Sequence, residues 1–195
     1  MRLVLPTLVL AALAGRLYGG SFSNLGKLRI AWTPLALIGL VLQFVPGTDQ
    51  WPLTLLMVSF VLLLVFGSVN LEVPGFPLVV LGVILNFLVI AVNHGMPVAE
   101  RAIVASGQQD TLSGLVSHPG VKHHLAGADD ELMFLGDVIA IPSPIGQIVS
   151  VGDVFTYGGA AWVVVAGMRR RGIVETPFPA AARMPHAREA THAGG

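Results

Sequence analysis

The sequence lacks cysteine entirely, and only 11% of its 195 residues are charged. The absence of cysteine excludes a small secreted domain held together by disulfides. Soluble globular domains carry about 25% charged residues, so the shortage of charge excludes an ordinary cytosolic enzyme. A disordered chain is excluded as well, because it would combine low hydrophobicity with high charge. The formal net charge is zero, so no overall basic field exists to attract nucleic acid.

Hydrophobic residues are abundant, at 54% of the chain. Crossing a hydrocarbon core about 30 Å thick takes roughly 20 mostly apolar residues in a helix. Five stretches approach that length, at about residues 3–17, 30–45, 51–69, 77–92 and 154–168. We therefore predict an all-α membrane bundle of about five transmembrane helices in residues 1–168, with a partly structured loop at 94–150. Residues 169–195 form a basic tail that we expect to be disordered.

Charge is unevenly distributed between these connections. Residues 15–29 carry a net charge of +3, residues 94–150 carry −4, and the tail at 169–195 carries +3. Because basic loops stay on the cytoplasmic side of a membrane, this pattern predicts an N-terminus and a long acidic loop outside, with the tail in the cytoplasm.

The first apolar stretch has an alternative interpretation. Arg2 followed by an apolar run and Ala12-Leu13-Ala14 imitates a signal peptide with its cleavage site. A single basic residue makes a weak n-region for such a peptide, and the basic residues at 15–29 favour a retained helix. A membrane-spanning first segment is therefore the favoured interpretation.

The loop at 94–150 is too long for a simple connection, and loops beyond about 15 residues are usually functional or disordered. Residues 98–105 and 111–117 are each compatible with a short helix, separated by Gly107. Apolar runs at 132–135 and 138–141 follow, and Pro142 and Pro144 exclude a continuous helix there. Because unpaired backbone groups are costly in hydrocarbon, we expect this segment to fold back over the outer mouth of the bundle.

Two asparagines lie within or at the end of the fourth apolar stretch. Asn86 and Asn93 are seven residues apart, which places them on nearly the same helix face. Hydrogen bonding between helices is the usual role of such a residue, and lining a path for a ligand or ion is the alternative. No charged side chain occupies the middle of any predicted span, which counts against a proton-driven pump.

Two similar Gly-Asp segments place Asp137 before an apolar run and Asp153 at the head of the last span. Asp153 is suited to capping that helix, because its carboxylate can accept backbone N–H bonds. Asp137 has no long helix after it, so capping explains it less well. The functional alternative is a pair of carboxylates that converge near the membrane surface to bind a cation or a proton.

Histidines and acidic residues occur close together in the outward loop, namely His118, His123, His124 and residues 129–131. Their spacing matches no compact zinc site, so we predict no metal and no other cofactor. His186 and His192 lie in the tail, where we expect them to be solvated. The small residues at 158–161 predict close packing of the last helix against another helix or another copy.

Several short motifs occur in a characteristic order. They are the Gly19-Gly20-Ser21 turn, Asn86, residues 93–98, residues 134–139 with Pro142 behind them, and residues 150–153. Taken together, over roughly residues 3–168, they resemble a family of small bacterial membrane proteins known as domain of unknown function 5317. The resemblance implies a location in the bacterial plasma membrane, and it implies no particular activity.

The favoured hypothesis is a non-enzymatic membrane component that sits in the lipid bilayer and binds a lipid, a partner protein or a second copy of itself. Its candidate binding residues are Asn86, Asn93, Asp137 and Asp153. A small transporter or channel is the second hypothesis, with the asparagines along its path. A membrane enzyme acting on a lipid-linked substrate at the outer surface is the third, with the two aspartates as acid, base or metal ligands.

Overall fold

The computed structural model describes residues 2–45, 51–117 and 122–169. Within these ranges the chain combines apolar helices with a small sheet. The helices are α1 (Val4–Leu17), α2 (Phe22–Leu25), α3 (Thr33–Leu42), α4 (Trp51–Val69), α5 (Phe76–Asn93), α6 (Glu100–Ser106), α7 (Gln109–Ser117) and α8 (Val151–Arg169). The strands are β1 (Met96–Val98), β2 (His123–Leu125), β3 (Asp137–Ile141) and β4 (Gln147–Ser150), and a 3₁₀ turn covers Met133–Leu135.

Five helices occupy the five predicted apolar stretches. α4, α5 and α8 have 18 or 19 residues and are long and apolar enough to cross a membrane. α1 and α3 have 14 and 10 residues, and at 1.5 Å per residue they are about 21 and about 15 Å long. Three helices of the described chain can therefore span a membrane, and the count of five spans stays a prediction.

The second apolar stretch is the one whose helix differs most from the prediction. α3 begins only at Thr33, because Trp32 adopts a left-handed backbone with φ of 56°. The chain just before it is held by Asn70, whose Oδ1 accepts from the Ala31 N–H at 2.8 Å and whose Nδ2 donates to the Ala31 carbonyl at 3.0 Å. The Asn70 amide therefore supplies hydrogen-bond partners for backbone groups that lie outside any helix or strand.

The loop at 94–150 contains a sheet, so the prediction of an all-α fold is wrong in this part of the chain. The four strands lie in the order β2-β1-β3-β4, with β1 parallel to both β2 and β3, and with β3 antiparallel to β4. Residues 142–146 connect β3 to β4, where the prolines prevent a helix. We call residues 94–117 and 122–150 the cap. As expected, the cap packs on the ends of α5 and α8.

The two short helices predicted for the cap are present as α6 and α7. Gly107 separates them with a left-handed backbone of φ 78°, and its N–H closes the last turn of α6. Such a conformation suits glycine because it has no side chain to clash with the preceding turn. The apolar core joins this cap to the bundle, since Met96 and Leu135 pack with buried α4 and α5 side chains, including Phe60 and Val89.

A seam of glycines brings α5 and α8 together in antiparallel fashion. A Cβ atom on Gly82 would lie 2.3 Å from the Gly152 carbonyl oxygen, and one on Gly159 would lie 2.7 Å from the Gly75 carbonyl oxygen. Gly82 thus faces Gly152, and Gly75 faces Gly159, seven residues away on each segment. The two backbones therefore approach closely over two helical turns. The predicted close packing of the last helix is confirmed at Gly159, whereas Gly158 has open space beside it.

The basic residues near α1 and α8 lie at the end of the bundle away from the cap. The Ser21 N–H donates to the Met168 carbonyl at 2.8 Å, and the Arg169 guanidinium lies 5.8 Å from the centre of the Tyr18 ring. At the other end of α1, Arg2 reaches the cap. The predicted disordered tail lies outside the described residues beyond Arg169, as do His186 and His192.

Candidate functional site

A cavity of about 630 Å³ lies where the cap meets the bundle. Its polar side chains come from separate parts of the chain, and they are Arg2, Gln43, Asn86, Gln108, Thr111, Lys122, His123, Asp137, Gln147, Asp153 and Tyr157. Three of the four candidate binding residues, Asn86, Asp137 and Asp153, therefore border one cavity. A volume of this size falls within the usual range of small-molecule sites.

Asp153 belongs to a capping box at the start of α8. Its N–H donates to the Ser150 Oγ at 2.9 Å, and its Oδ2 accepts from the Ser150 N–H at 3.2 Å. Each residue thus satisfies the other's backbone donor at the helix N-terminus. The expectation that Asp153 caps the helix is confirmed, and the same bonds fix its carboxylate at the wall of the cavity.

Asn86 links α5 to this capping box. Its Nδ2 donates to the Asp153 Oδ1 at 2.8 Å, and its Oδ1 accepts from the Ser150 Oγ at 2.7 Å. The Gly152 backbone lies directly against the Asn86 amide, where even a methyl group on Gly152 would clash with it. The predicted hydrogen bonding of Asn86 between helices is therefore present, and the glycine seam makes it possible.

Asp137 is the first residue of β3 and is only 9% exposed. Within the described parts of the chain, no hydrogen-bond donor pairs with its carboxyl group. Burial raises the pKa of Asp137 to about 7, and the negative charge of Asp153 contributes to the same shift. The sequence left open whether Asp137 and Asp153 converge, and the structure places both on the wall of one cavity.

His123 lies near Asp137 at the wall of the cavity. Its Nε2 is 3.9 Å from the Asp137 Oδ2, which is too far for a hydrogen bond. The imidazole keeps 54% of its surface accessible because it borders the cavity. Burial by the surrounding protein lowers the pKa of His123. The negative charge of Asp153 opposes this shift, while the neighbouring cation Lys122 adds to it.

Both lysine and arginine at the cavity are engaged by backbone carbonyl groups. Lys122 Nζ donates to the Gln43 and Val45 carbonyls, at 2.6 and 2.7 Å, and so fastens the cap to the end of α3. Arg2 Nη1 donates to the Ile145 carbonyl at 3.1 Å and to the next carbonyl at 3.2 Å. These cations hold the cavity walls together.

The remaining wall of the cavity is apolar. It consists of side chains from the chain just after α3, from α4 and α5, and from the cap including α7, among them Phe44, Leu56, Phe60, Ile90 and Leu115. The cavity wall therefore offers contacts both to a polar group and to a hydrocarbon chain.

Asn93, the fourth candidate binding residue, lies away from this cavity. Its Nδ2 donates to the Val89 and Glu131 carbonyls, both at 2.9 Å, and its Oδ1 accepts from the Glu131 N–H at 2.8 Å. The Asn93 amide thus anchors the cap to the end of α5. The two asparagines have separate partners although they share a helix face.

The structure divides the histidine and acid cluster of the cap. His123 faces the cavity, whereas His124 Nε2 lies 2.8 Å from the Asp130 Oδ1. Burial alone would raise the pKa of Asp130, but the Gly127 N–H and His124 hold it below its ordinary value. His118 lies outside the described residues. Among the residues that are described, no three His, Cys, Asp or Glu side chains are grouped so that they could hold a metal ion.

A family model described as a family of unknown function (DUF5317) matches residues 27–165. The chain belongs to this family. A curated protein of Thermotoga maritima, described as an uncharacterized protein, is 32% identical over 153 residues, which are 77% of this chain and 83% of that protein. No solved structure matches the chain. The resemblance to DUF5317 inferred from the sequence is thereby confirmed.

The part of the chain that matches DUF5317 contains every cavity residue named above except Arg2. Sequence reasoning missed Lys122, Tyr157 and the apolar wall, and it considered His123 only as a metal ligand or a solvated residue. No local signal distinguishes these positions, because the strand that presents His123 has three residues and pairs in parallel with distant β1.

Proposed function

We propose that this chain is a multi-pass membrane protein that binds an amphiphilic molecule, such as a lipid, in the cavity between cap and bundle. The observation that carries the proposal is the mixed lining of that cavity. Asp137, Asp153 and His123 lie close enough to influence one another electrostatically, and we call this group the polar end; apolar side chains such as Phe44 and Leu115 line the same cavity. A headgroup and an acyl chain are the parts of a lipid that match these two environments.

The proposed setting is the plasma membrane of a bacterium, with the cap outside and the opposite end of the bundle in the cytoplasm. The helices alternate in direction, so that Arg16, Lys27 and Arg169 lie together at the end remote from the acidic cap. This distribution agrees with the preference of basic residues for the cytoplasmic side. α1 and α3 would complete five spans by local thinning of the bilayer around them.

Binding is better supported than conduction. The cavity reaches Asn86, which a transporter or channel would also require. Beyond Asn86, however, the backbones of Gly82 and Gly152 are in direct contact, and the same close contact recurs one heptad further at Gly75 and Gly159. The seam between α5 and α8 therefore leaves no room for a path, which favours a molecule that enters and leaves from the cap end.

The proposal is tested by identifying what the purified protein retains. The parent chain is solubilised in a neutral detergent, purified extensively, and its bound lipids are quantified by mass spectrometry. Leu115→Trp adds bulk at the apolar wall, and Val61→Trp adds the same ring on the exposed face of α4 as the control.

We expect the parent and Val61→Trp to retain one class of amphiphile in a fixed ratio to protein, and Leu115→Trp to lose it. No retained amphiphile in the parent, or equal retention in both variants, would overturn the proposal. A protein recovered in a fixed ratio with no amphiphile would favour a protein partner instead.

A second candidate function is acid–base catalysis on the bound amphiphile. The observation that favours it is the position of His123 Nε2, 3.9 Å from the Asp137 Oδ2 at the cavity wall, where a bound substrate would contact both groups. Incubation with total bacterial lipid distinguishes the candidates, because an enzyme would produce a new lipid species that disappears with His123→Gln, whereas a binding protein would return its lipids unchanged.

A further inference from the structure

We propose that the polar end of the cavity recognises a positively charged amine on the amphiphile, with Asp137 and Asp153 as its binding groups. This inference rests on the proposed function, because it names the headgroup of the molecule that the cavity binds. It depends on which charged groups in the cavity wall are already paired and which are not.

Asp153 presents a carboxyl group that is fixed in position. Its two oxygens each accept one hydrogen bond, from the Asn86 Nδ2 and the Ser150 N–H, and the carboxylate lies at the N-terminus of α8, where the helix dipole favours an anion. A carboxylate oxygen can accept more than one hydrogen bond. Asp153 therefore has acceptor capacity left on the side that faces the cavity.

Asp137 lacks a hydrogen-bond partner in the described chain. It is nine-tenths buried and borders the cavity, and its carboxyl receives no hydrogen bond from any described residue. Burying an unpaired charged group is expensive, and native structures normally compensate such a group. A ligand group that donates hydrogen bonds and carries positive charge would compensate Asp137 directly.

The cations in the cavity wall do not fill this role. Lys122 Nζ is engaged by two carbonyls at the end of α3, and Arg2 Nη1 by two carbonyls of the cap. His123 stands 3.9 Å from Asp137, and burial lowers its pKa, which favours the neutral imidazole. An anionic headgroup placed beside Asp137 and Asp153 would face two carboxylates, which disfavours it even though the Lys122 cation acts on nearby His123.

A metal ion is a poorer match than an amine. Within the described residues no three ligating side chains are close enough together to form a metal site, whereas an ammonium group needs only acceptors. Its three N–H donors match the free Asp137 oxygens and the remaining acceptor capacity of Asp153. The apolar wall around Phe60 and Ile90 would then hold the hydrocarbon chain of the same molecule.

Three amphiphiles with the same hydrocarbon chain test the headgroup: dodecylamine, dodecanol and dodecyl phosphate. Their binding to the full chain in neutral detergent is measured by calorimetry at about pH 8, where Asp137 is ionised and the amine is charged. We expect dodecylamine to bind roughly tenfold tighter than dodecanol, since a hydrogen bond to a charged group is worth about one factor of ten or more. Dodecyl phosphate should bind most weakly.

Asp137→Asn should remove most of this preference for the amine, and Asp129→Asn, on the exposed surface of the cap, should retain it. Equal or tighter binding of dodecanol or dodecyl phosphate by the parent would overturn the inference and leave the proposed function standing. An unchanged preference in Asp137→Asn would also overturn it. Absence of binding by all three amphiphiles would overturn the proposed function itself. The ranking on the parent chain needs no variant to fold.

Discussion

Replacing Asp137 with Asn should make the protein more stable at neutral and alkaline pH and should leave its stability nearly unchanged in acid. Burial raises the pKa of this carboxyl from 3.8 to about 7. Each pKa unit corresponds to 1.36 kcal/mol, so ionised Asp137 destabilises the folded state by about 4 kcal/mol. Asparagine has nearly the same shape and cannot ionise, so it removes this cost.

The sign of the pH dependence follows from proton binding. Between about pH 4 and about pH 7 the unfolded chain loses the Asp137 proton while the folded chain keeps it. The contribution of Asp137 to folding stability therefore falls as the pH rises through this window and is constant above it. The gain from Asp137→Asn grows over the same window, from nearly zero to its full value.

Thermal unfolding in neutral detergent, followed by the fluorescence of the three tryptophans, measures this effect at a series of pH values. The informative quantity is the difference in Tm between Asp137→Asn and the parent, because acid also weakens groups such as Asp130 equally in both proteins. Asp129→Asn is the matched surface control and should show no such trend. A Tm difference that is independent of pH, or a variant less stable than the parent at about pH 8, would refute the assignment of Asp137 as an uncompensated buried carboxyl.

Three further predictions concern packing, the cap and orientation. Gly82→Ala should destabilise the bundle by about 1–3 kcal/mol through overpacking, because its new methyl group would lie 2.3 Å from backbone on α8. Gly158→Ala, with open space around it, should be neutral or slightly stabilising. Thermal unfolding of both variants measures the difference. Asn93→Ala should loosen the cap by about 1 kcal/mol and leave amine binding nearly unchanged, which hydrogen exchange and calorimetry would measure. Since the chain has no cysteine, single cysteine variants can test the orientation with an impermeant maleimide. Asp129→Cys should react in intact cells, whereas Lys27→Cys should react only after permeabilisation. The opposite pattern would invert the proposed orientation.

The helical part of the fold was largely predictable from the sequence, because long apolar runs are a direct sign of apolar helices. The limits of α4, α5 and α8 differ from their predicted limits by three residues or fewer. α3 is three residues shorter than predicted at each end, and its late start at Thr33 follows from a left-handed Trp32 that a hydropathy pattern cannot show.

The cap was less predictable. β1 and β2 have three residues each, too few to show an alternating pattern, and their parallel pairing joins segments far apart in the chain. The candidate site was also predictable only in part. Residue chemistry identified Asn86, Asp137 and Asp153, but the bond from Asn86 to Asp153 crosses 67 positions, and no pattern in one sequence specifies a contact of that kind. Asn93 was predicted as a site residue for the same reason, because the sequence does not show that its partner is the backbone of Glu131.

Helix packing and the candidate site depend on the same few residues. The capping box that starts α8 needs Ser150 and Asp153, and it also fixes the carboxylate that faces the cavity. Asn86 reaches that box only because Gly152 has no side chain. In the proposed membrane setting, a group buried at the end of a span and beneath the cap would avoid the hydrocarbon core, where an ionised carboxylate is most costly. It would still be shielded enough from water to bind charge strongly. The junction of bundle and cap is therefore where this fold can hold two carboxylates close together, and it is where a headgroup with positive charge would gain most from meeting them.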